Sequence, residues 1–385
     1  MLLLPSESSF EFPTGTIPAR RVRTNEKGEF KMKLNRIATL MAALTGLSGM
    51  LVPGITSAST IHSAIPHYQH IVEIMMENTS YGTIIGNSNA PHINALANEY
   101  GLATDYYGVT HPSEPNYVAN IGGSYFGIQD DNQFYCTAAL ATTDPMCTGT
   151  TVDHTIAAQS IADQLTAAGK TWRGYFQSLP PTPSSYVSSG PLANGPYTFK
   201  YPSSAVALYA SKHNPFVNFV GTQGDVANMV PDTQLATDLA KGHLANFSLV
   251  VPDQCHDMHG TGGCTDTTGL IAAGDSYVGA TVKQIMDSHT WREGNNAIVI
   301  TWDEDDFSDS GLLGTGCCGA NPGGGHVVTI VITNKGPIHV VDNSPYNHYS
   351  LLRSLEDAFR LPHLAHAGDA SVTSMTELFH PSRRN

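Results

Sequence analysis

The sequence predicts an α/β protein in which helices pack against a mainly parallel sheet. Short apolar runs alternate along the 385-residue chain with amphipathic stretches that have helical periodicity. The apolar runs are largely continuous, as expected for parallel strands that are buried on both faces. Strands that alternate with helices in this order are typical of a layered fold with crossover connections.

Five apolar segments are predicted as strands, and polar residues or turn-forming residues follow them. Three of them end directly before acids, amides or imidazoles, which gives one end of the predicted sheet a distinct chemistry. The five segments are residues 71–76, 171–177, 247–251, 297–302 and 326–333.

Helical periodicity marks the segments that lie between these strands. In residues 91–100 the apolar side chains of Ile93, Leu96 and Ala97 recur at helical spacing. The remaining segments predicted to be helical are residues 116–121, 155–168, 279–288 and 347–359.

Two segments have the composition of loops. Residues 122–150 are rich in Gly, Asp, Thr and Cys and are predicted to form an insertion loop. Residues 178–203 are rich in Pro, Ser, Gly and Tyr, and a long irregular segment of this kind often carries function. We expect the second segment to form part of a pocket wall.

The N-terminal region has the features of a targeting segment. A basic stretch leads into the apolar residues 37–53, and small residues follow. We interpret residues 32–59 as a secretory signal peptide and residues 1–31 as an unstructured leader or a mis-assigned start. A membrane anchor is the alternative, but the apolar run is short and is broken by Gly and Pro. Residues 60–385 are then expected to be a single domain.

The charge of the expected mature chain is strongly negative. Removing residues 1–59 takes away seven Lys/Arg and four Asp/Glu, which leaves 12 basic and 29 acidic residues and a net charge of −17. Such a surface disfavours nucleic acid and anionic membranes as general partners. We expect a secreted or periplasmic protein without stable membrane insertion, and the sequence leaves its oligomeric state open.

All six cysteines lie in the part of the chain that is expected to be exported, where disulfides are plausible. Cys136 with Cys147 and Cys255 with Cys264 would each close a short loop. The adjacent Cys317 and Cys318 could bond to each other or pair elsewhere. Zinc ligation is the alternative, but no pair has the CxxC spacing of structural zinc sites.

A candidate nucleophile lies at the start of a predicted helix. Ser113 follows a run of small residues and precedes Glu114 and Pro115, and a helix-compatible segment comes next. Free backbone N–H groups and the positive end of the helix dipole favour an anion at such a position. This suits a hydroxyl that attacks phosphorus, although a capping serine without chemistry has the same local sequence.

Oxygen-rich side chains follow three of the predicted strands. Glu77 and Asn78 come after the first, His256 to His259 after the third, and the four acids from Asp303 to Asp306 after the fourth. Ligands of open α/β sheets bind beyond the carboxyl ends of the strands, so these groups are predicted to converge on one site. Four adjacent acids repel one another, and a bound cation would relieve that repulsion. Alone, each group could instead be a turn, a solvated acidic loop or a hydrogen-bonded loop beside a disulfide.

Several short motifs, taken in the order in which they occur along the chain, resemble the phosphoesterase family. This family includes acid phosphatases and phospholipases C of the alkaline phosphatase superfamily. The resemblance covers roughly residues 68–365. Its motifs are Glu77-Asn78, His111-Pro112-Ser113-Glu114-Pro115-Asn116-Tyr117, Lys212-His213-Asn214-Pro215-Phe216, Asp257-Met258-His259, Thr301-Trp302-Asp303-Glu304, Gly325-His326 and Asn347 to Arg353.

The resemblance implies a three-layer α/β/α sandwich and a metal-dependent hydrolase of phosphoric ester bonds. It implies the following roles: Ser113, His213 and His259 are catalytic, His111, Asn116 and His326 bind substrate, and Glu77, Asn78, Asp303 and Glu304 bind a divalent metal ion. Calcium, magnesium, manganese, zinc and iron all remain possible. The second carboxylate of the family's metal pair can be Asp, so Glu304 is a possible departure.

The implied reaction is attack by Ser113 on a small phosphorylated substrate, followed by hydrolysis of a phosphoserine intermediate. His213 and His259, if protonated, would supply positive charge and a proton for the leaving oxygen, which favours acidic pH. We expect a phosphomonoesterase of the acid phosphatase type. A phospholipase C-type phosphodiesterase is the alternative within the family, and an exported metal-binding or ligand-binding protein without turnover is the alternative outside it. A sulfatase is disfavoured because Ser113 lacks the Cys/Ser-x-Pro-x-Arg setting that formylglycine formation needs.

Overall fold

The protein is described by a computed structural model, which covers residues 65–131, 154–179, 208–261, 264, 266–308, 315–336 and 338–380. The expected leader and signal peptide lie outside these ranges. So do most of the predicted insertion loop, most of the irregular segment 178–203, and Cys136 and Cys147.

A mixed sheet of eight strands forms the centre of the fold, with the order β5-β4-β6-β1-β7-β8-β2-β9, and β3 pairs with β10 in a second, two-stranded sheet. The strands are β1 (His70–Met76), β2 (Gly101–Ala103), β3 (Tyr106–Tyr107), β4 (Trp172–Phe176), β5 (Met229–Pro231), β6 (Phe247–Val251), β7 (Asn296–Trp302), β8 (Thr329–Thr333), β9 (Val340–Asp342) and β10 (Tyr346–Asn347).

The middle of the sheet is parallel, as the sequence predicts. Strand β1 pairs in parallel with β6 on one side and with β7 on the other, and Ile71 lies opposite both Phe247 and Ala297. Strands β6 and β7 are buried along their whole length, and β1 is buried from Ile71 onward. The exception is β8, which is antiparallel to both β7 and β2.

Helices in two packed groups provide the outer layers of the α/β sandwich. Helices α3, α4 and α8 pack on one another, and α2 packs against α6. The helices are α1 (Tyr81–Ile84), α2 (Pro91–Glu99), α3 (Ser113–Gly122), α4 (Ile161–Ala167), α5 (Gln234–Lys241), α6 (Thr267–Asp287), α7 (His289–Arg292), α8 (His348–Phe359) and α9 (Thr376–Phe379).

Most predicted elements are present, and the boundaries of several differ from the prediction. The helix predicted over residues 155–168 begins only at Ile161, because Ser160 and Asp163 form a capping box at its start. Helix α6 is 21 residues long and begins well before residue 279, with Asp266 as its N-cap. The strand predicted over residues 326–333 begins at Thr329.

Two of the predicted cysteine pairs are described, and both are bonded. Cys255 is bonded to Cys264 and closes a loop with a sequence separation of 9, and Cys317 is bonded to its neighbour Cys318. Within the described ranges, no helix is long and apolar enough to cross a membrane.

The strand pairing determines where the polar residues come together. Because Met76 lies opposite Trp302 in the parallel β1–β7 pair, the residues that follow these two strands emerge side by side. The main-chain N–H of Asp303 donates to Met76 O at 3.0 Å, and that of Glu77 donates to Asp257 O at 2.8 Å. These two hydrogen bonds connect the end of β1 to the end of β7 and to the loop after β6.

Candidate active site

Ser113 lies at the centre of the carboxylate cluster. It is the first residue of α3, with Pro112 rather than Ser113 as the N-cap, and every residue of this helix is buried. The Ser113 hydroxyl oxygen is 3.1 Å from Glu77 Oε2, 3.3 Å from Glu304 Oε1 and 3.5 Å from Asn78 Oδ1. The structure therefore brings together the serine and the acids and amide that the sequence predicts to act with it.

Asn116 holds the loop before Ser113 in place. Its Oδ1 accepts from the backbone N–H groups of Val109 and Thr110, at 2.9 and 3.2 Å. Its Nδ2 lies 2.7 Å from Thr110 O, 3.2 Å from Pro112 O and 3.2 Å from Glu304 Oε2. All polar atoms of this side chain are thus engaged with the protein, and its predicted substrate-binding role stays a prediction.

The small residues before Ser113 are required by close packing. A side chain at Gly108 would place a Cβ 2.6 Å from Asp303 O and 3.0 Å from the backbone of Gly324. This contact explains why the run that leads to the serine contains a glycine: the loop passes directly over the end of β7.

His111 is paired with the acids after β7. Its Nδ1 is 2.8 Å from Glu304 Oε2, and its Nε2 is 3.5 Å from Asp305 Oδ1. Burial alone would lower the pKa of His111, but the hydrogen bonds and charges of Asp305 and Glu304 outweigh it and raise the pKa to about 9. His111 therefore carries a positive charge at neutral pH. The ring of Phe307 packs against it with a centroid distance of 4.2 Å.

His213 and His259 lie on the opposite side of Glu77. His213 Nε2 is 3.1 Å from Glu77 Oε1, its Nδ1 is 3.5 Å from Asp257 Oδ2, and its ring stacks on Tyr117. The rings of the two histidines are 5.8 Å apart.

Both of these histidines favour the neutral form. Burial lowers the pKa of His213 well below its ordinary value and also lowers that of His259, and the charge of Lys212 acts in the same direction on both. The sequence analysis expects these rings to act when protonated, and the burial that lowers the pKa of both favours that form only in acid.

A cavity of about 450 Å³ is lined in part by Asn78, which contacts Ser113. Asn78, Thr79 and His259 contribute polar groups to its wall, and Met258 and Leu270 contribute apolar ones. Asn78 therefore lines this cavity and also lies 3.5 Å from the Ser113 hydroxyl, which is itself buried.

The acids of the site repel one another in a buried environment. Glu77, Asp257, Asp303 and Glu304 are all buried. Burial is the largest cause that raises the pKa of each. The charge of Asp257 raises the pKa of Glu77 further, and the charge of Glu77 does the same to Asp303. A cluster of this kind is stabilised by positive charge.

The arrangement of oxygens fits a hard divalent cation. The Asn78 amide directs its oxygen at the cluster. In the opposite orientation its nitrogen would donate to Glu77 Oε2 at 3.0 Å and to Glu304 Oε1 at 3.3 Å. Asp303 Oδ2 is buried without a hydrogen-bond partner. In the described ranges no three His, Cys, Asp or Glu side chains already form a metal cage, and the oxygens gathered here come partly from an amide and a hydroxyl. Carboxylate and amide oxygens are the donors that such cations prefer.

His326 contacts two aromatic rings and a main-chain oxygen. Its ring stacks on Tyr81 at a centroid distance of 4.4 Å and lies 5.4 Å from Tyr107. Its Nε2 is 3.0 Å from the main-chain oxygen of Thr104. These contacts are with aromatic and main-chain groups rather than with Ser113, so its predicted substrate-binding role stays a prediction.

Two residues at the site were not assigned a role from the sequence. Lys212 immediately precedes His213, and its charge acts on Glu77, Asp257 and Glu304. His348, the first residue of α8, is buried, and its Nε2 donates to the main-chain oxygen of Asp303 at 2.6 Å. Both residues lie in motifs that resemble the phosphoesterase family, and this resemblance is the sequence signal that could have identified them.

Comparison with protein families identifies one match. A sequence model of the phosphoesterase family matches residues 87–362, which include Ser113, His213, His259, Asp303 and Glu304 and begin after Glu77 and Asn78.

Several named proteins are similar to the chain. Phosphatidylinositol-3-phosphatase of Mycobacterium tuberculosis is 28% identical over 342 residues, which are 88% of this chain and 93% of that protein. A probable acid phosphatase of Kluyveromyces lactis is 25% identical, with 78% of this chain aligned to 60% of that protein. The acid phosphatase of Aspergillus fumigatus is also 25% identical, with 77% of this chain aligned to 56% of that protein. The chain thus spans about 60% of the length of these fungal relatives.

One solved structure to which the chain is similar is a protein in the alkaline phosphatase superfamily from Vibrio parahaemolyticus. It has 14% sequence identity and a TM-score of 0.49, and the match covers 78% of this chain and 68% of that chain.

Proposed function

Since the chain belongs to the phosphoesterase family of hydrolases acting on phosphoric ester bonds, we propose that it is an exported, metal-dependent phosphomonoesterase that works through a phosphoserine intermediate. The observation that carries the proposal is the position of the Ser113 hydroxyl, which lies at the start of α3 and within 3.5 Å of oxygens of Glu77, Asn78 and Glu304. The similarity to acid phosphatases supports the monoester class.

Ser113 is proposed as the nucleophile of the first step. Its oxygen forms a bond to phosphorus while the bond from phosphorus to the ester oxygen breaks, and the alcohol leaves with a proton. The nearest acceptors for the Ser113 proton are Glu77 Oε2 and Glu304 Oε1, at 3.1 and 3.3 Å. The positive end of α3 favours the charge that develops on the phosphoryl oxygens. Water then cleaves the phosphoserine and restores the hydroxyl.

Glu77, Asn78, Asp303 and Glu304 are the residues that would hold a divalent cation. When bound, such an ion supplies charge neutralisation for the phosphoryl group and makes the serine oxygen a better nucleophile. His111 also orients this cluster. Its Nδ1 lies 2.8 Å from Glu304 Oε2 and fixes the direction of that carboxylate.

His259 is proposed to exchange protons with the leaving group. It lines the cavity, and its Nδ1 donates to Gly260 O at 2.7 Å, which leaves Nε2 as the acceptor of the neutral ring. Because burial lowers the pKa of His259 below its ordinary value of 6.5, the ring gains a second proton only at acidic pH. A donor of this kind favours operation in acid, where the leaving oxygen can receive that proton.

The decisive experiment replaces Ser113 by Ala and measures hydrolysis of p-nitrophenyl phosphate. We expect loss of turnover by a factor of about 10³ or more, with metal content unchanged by elemental analysis. The matched control is Ser350→Ala, because Ser350 is also a buried serine in the first turn of a helix and its hydroxyl has no hydrogen-bond partner. Near-normal turnover by the Ser113→Ala variant would remove the serine from its role.

Substrate preference is tested by comparing p-nitrophenyl phosphate with p-nitrophenyl phosphorylcholine. We expect the monoester to have the higher kcat/KM, and a preference for the diester would instead identify a phospholipase C-type activity. Phosphatidylinositol 3-phosphate belongs in the same panel because one relative is named for that substrate. Binding of metal and ligand without any turnover would identify a binding protein.

Export is proposed from the N-terminal pattern and the cysteines. The bonded Cys255 and Cys264 agree with an oxidising compartment, where such bonds persist.

A further inference from the structure

Lys212 occupies a constrained position at the site. It lies in the short 3-10 turn Ser211–His213, directly before the histidine that contacts Glu77. Only 18% of its side chain is exposed, and its Nζ donates to Asp131 Oδ2 at 2.7 Å. The Lys212 side chain is thus partly buried, and its ammonium is paired with a carboxylate.

Asp131 ties this ammonium to the helix that carries the serine. Its other oxygen, Oδ1, accepts from the main-chain N–H of Glu114 at 2.9 Å. Glu114 is the residue after Ser113, so one carboxylate joins the first turn of α3 to the Lys212 side chain. The ammonium is therefore held beside the end of the helix where a phosphoryl group is proposed to react.

The charge of Lys212 affects the pKa values of the groups that surround the serine. It lowers the pKa of the Glu77, Asp257 and Glu304 carboxyls, and it also lowers the pKa of His213 and His259. The position of the ammonium is given by its geometry, since Lys212 directly precedes His213, a contact of Glu77, and is joined through Asp131 to the first turn of α3.

Lys212 keeps its charge in this environment. Burial would lower its pKa, but the charges of Glu77 and Asp131 outweigh burial and raise it. An ammonium has three N–H donors, and Asp131 accepts from one of them.

We propose that Lys212 binds a non-bridging oxygen of the phosphoryl group of the substrate, and that Asp131 is the positioning residue that aims it there. The proposal for Lys212 rests on the proposed function in one respect, because it requires that the site binds a phosphate. The other interpretation is that Lys212 only neutralises the buried carboxylates, in which case its removal destabilises the fold and leaves phosphate affinity unchanged.

The test is equilibrium binding of inorganic phosphate in the Ser113→Ala background, where turnover is absent. We expect Lys212→Met to weaken phosphate binding by about tenfold to a hundredfold, the usual effect of losing a charged hydrogen bond. Lys212→Arg retains the charge and should recover most of the affinity. Lys283→Met is the matched control, because Lys283 is also paired with an aspartate, Asp287, but lies on the exposed surface of α6. Metal content and circular dichroism must match among the variants.

Unchanged phosphate affinity in a folded Lys212→Met protein with the same metal content would overturn the proposal. If that variant does not fold, the proposal is tested by amine labelling of the protein that retains Lys212. Inorganic phosphate should then protect Lys212 from acetic anhydride and leave Lys283 labelled as before, and equal labelling of Lys212 with and without phosphate overturns the proposal. Hydrolysis of p-nitrophenyl phosphate by the wild-type protein is scored separately, so failure of the proposed function is not confused with failure of this inference.

Discussion

At the scale of single residues, Asn116 shows how a polar side chain in a motif can serve the backbone. The family resemblance implies contact with substrate, whereas the structure engages its amide with Val109, Thr110, Pro112 and Glu304. The geometry of the loop before the serine therefore depends on this one amide.

The two roles of Asn116 predict different kinetics. If it positions the loop, Asn116→Ala should lower kcat by at least about tenfold with little change in KM, and should cost about 2–4 kcal/mol of unfolding free energy through unsatisfied buried groups. Steady-state kinetics and urea unfolding measure both. The control is Asn89→Ala, outside the site. A raised KM with normal kcat and normal stability would instead support direct substrate contact.

Glu73 is a buried acid that the proposed reaction does not use. It interrupts the apolar strand β1, and its Oε1 accepts from Asn120 Nδ2 of α3 at 2.7 Å. Burial raises the pKa of Glu73 from 4.5 to about 8, with the Asn120 hydrogen bond opposing this. The side chain is therefore mostly protonated at neutral pH in the folded protein.

This pKa predicts how stability depends on pH. A raised folded-state pKa means that the stabilising contribution of Glu73 is complete below about pH 4.5 and is lost as pH rises toward about 8, at about 1.4 kcal/mol per pH unit. Glu73→Gln should remove this slope, which urea unfolding between pH 5 and pH 9 can measure. Glu99→Gln, on the exposed surface of α2, should keep the wild-type profile. Parallel profiles for Glu73→Gln and wild type would contradict the assignment.

At the scale of elements, α3 is fixed at both ends. Its first residue is the candidate nucleophile, and Gly123 ends it in the left-handed conformation with φ of 74°. A Cβ at Gly123 would clash with the main-chain oxygen of Leu364. The position of Ser113 along its helix axis is therefore also restrained from the far end of α3.

A matched pair of glycines separates backbone strain from packing. Gly242 ends α5 in the same conformation with φ of 67°, but a Cβ there would meet nothing within 4 Å. We expect Gly242→Ala to cost about 1 kcal/mol of unfolding free energy and Gly123→Ala about 2–4 kcal/mol, since only the latter adds a clash. Chemical denaturation measures the two values. Equal costs would show that the Leu364 contact does not restrain α3.

At the scale of the whole molecule, the N-terminal region bears both on the proposed export and on the net charge of the protein. Residues 1–59 hold seven of the 19 basic residues of the chain, so their removal makes the remaining protein more acidic. The match to the family lies entirely in the part that would remain, since it covers residues 87–362.

We predict that a chain of residues 60–385, produced in an oxidising compartment, has the same melting temperature and kcat/KM as protein exported from the full-length gene. The physical reason is that the sheet, its helices and the candidate site all lie in residues 65–380. Intact mass of the exported protein locates its N-terminus. A mass that retains residues 32–59, or a truncated chain that fails to fold, would contradict the signal-peptide interpretation.

The sequence alone determined the local features of this protein. The apolar runs predicted β1, β6 and β7, and the residues after them identified Glu77, Asn78, Asp303 and Glu304 as neighbours, because parallel strands end at a common edge. The Ser-Glu-Pro pattern placed Ser113 at a helix start for a reason that is also local, the preference of Ser for the N-cap and of Pro for the first helical turn.

Only the tertiary structure decided which other distant groups meet. Lys212 is held by Asp131, 81 positions earlier, and Asn116 reaches Glu304, 188 positions later. The antiparallel direction of β8 and the three-residue strands β2, β5 and β9 also escaped sequence analysis. Such features depend on packing between remote segments and on burial that shifts proton affinities, and neither leaves a periodic pattern in the chain.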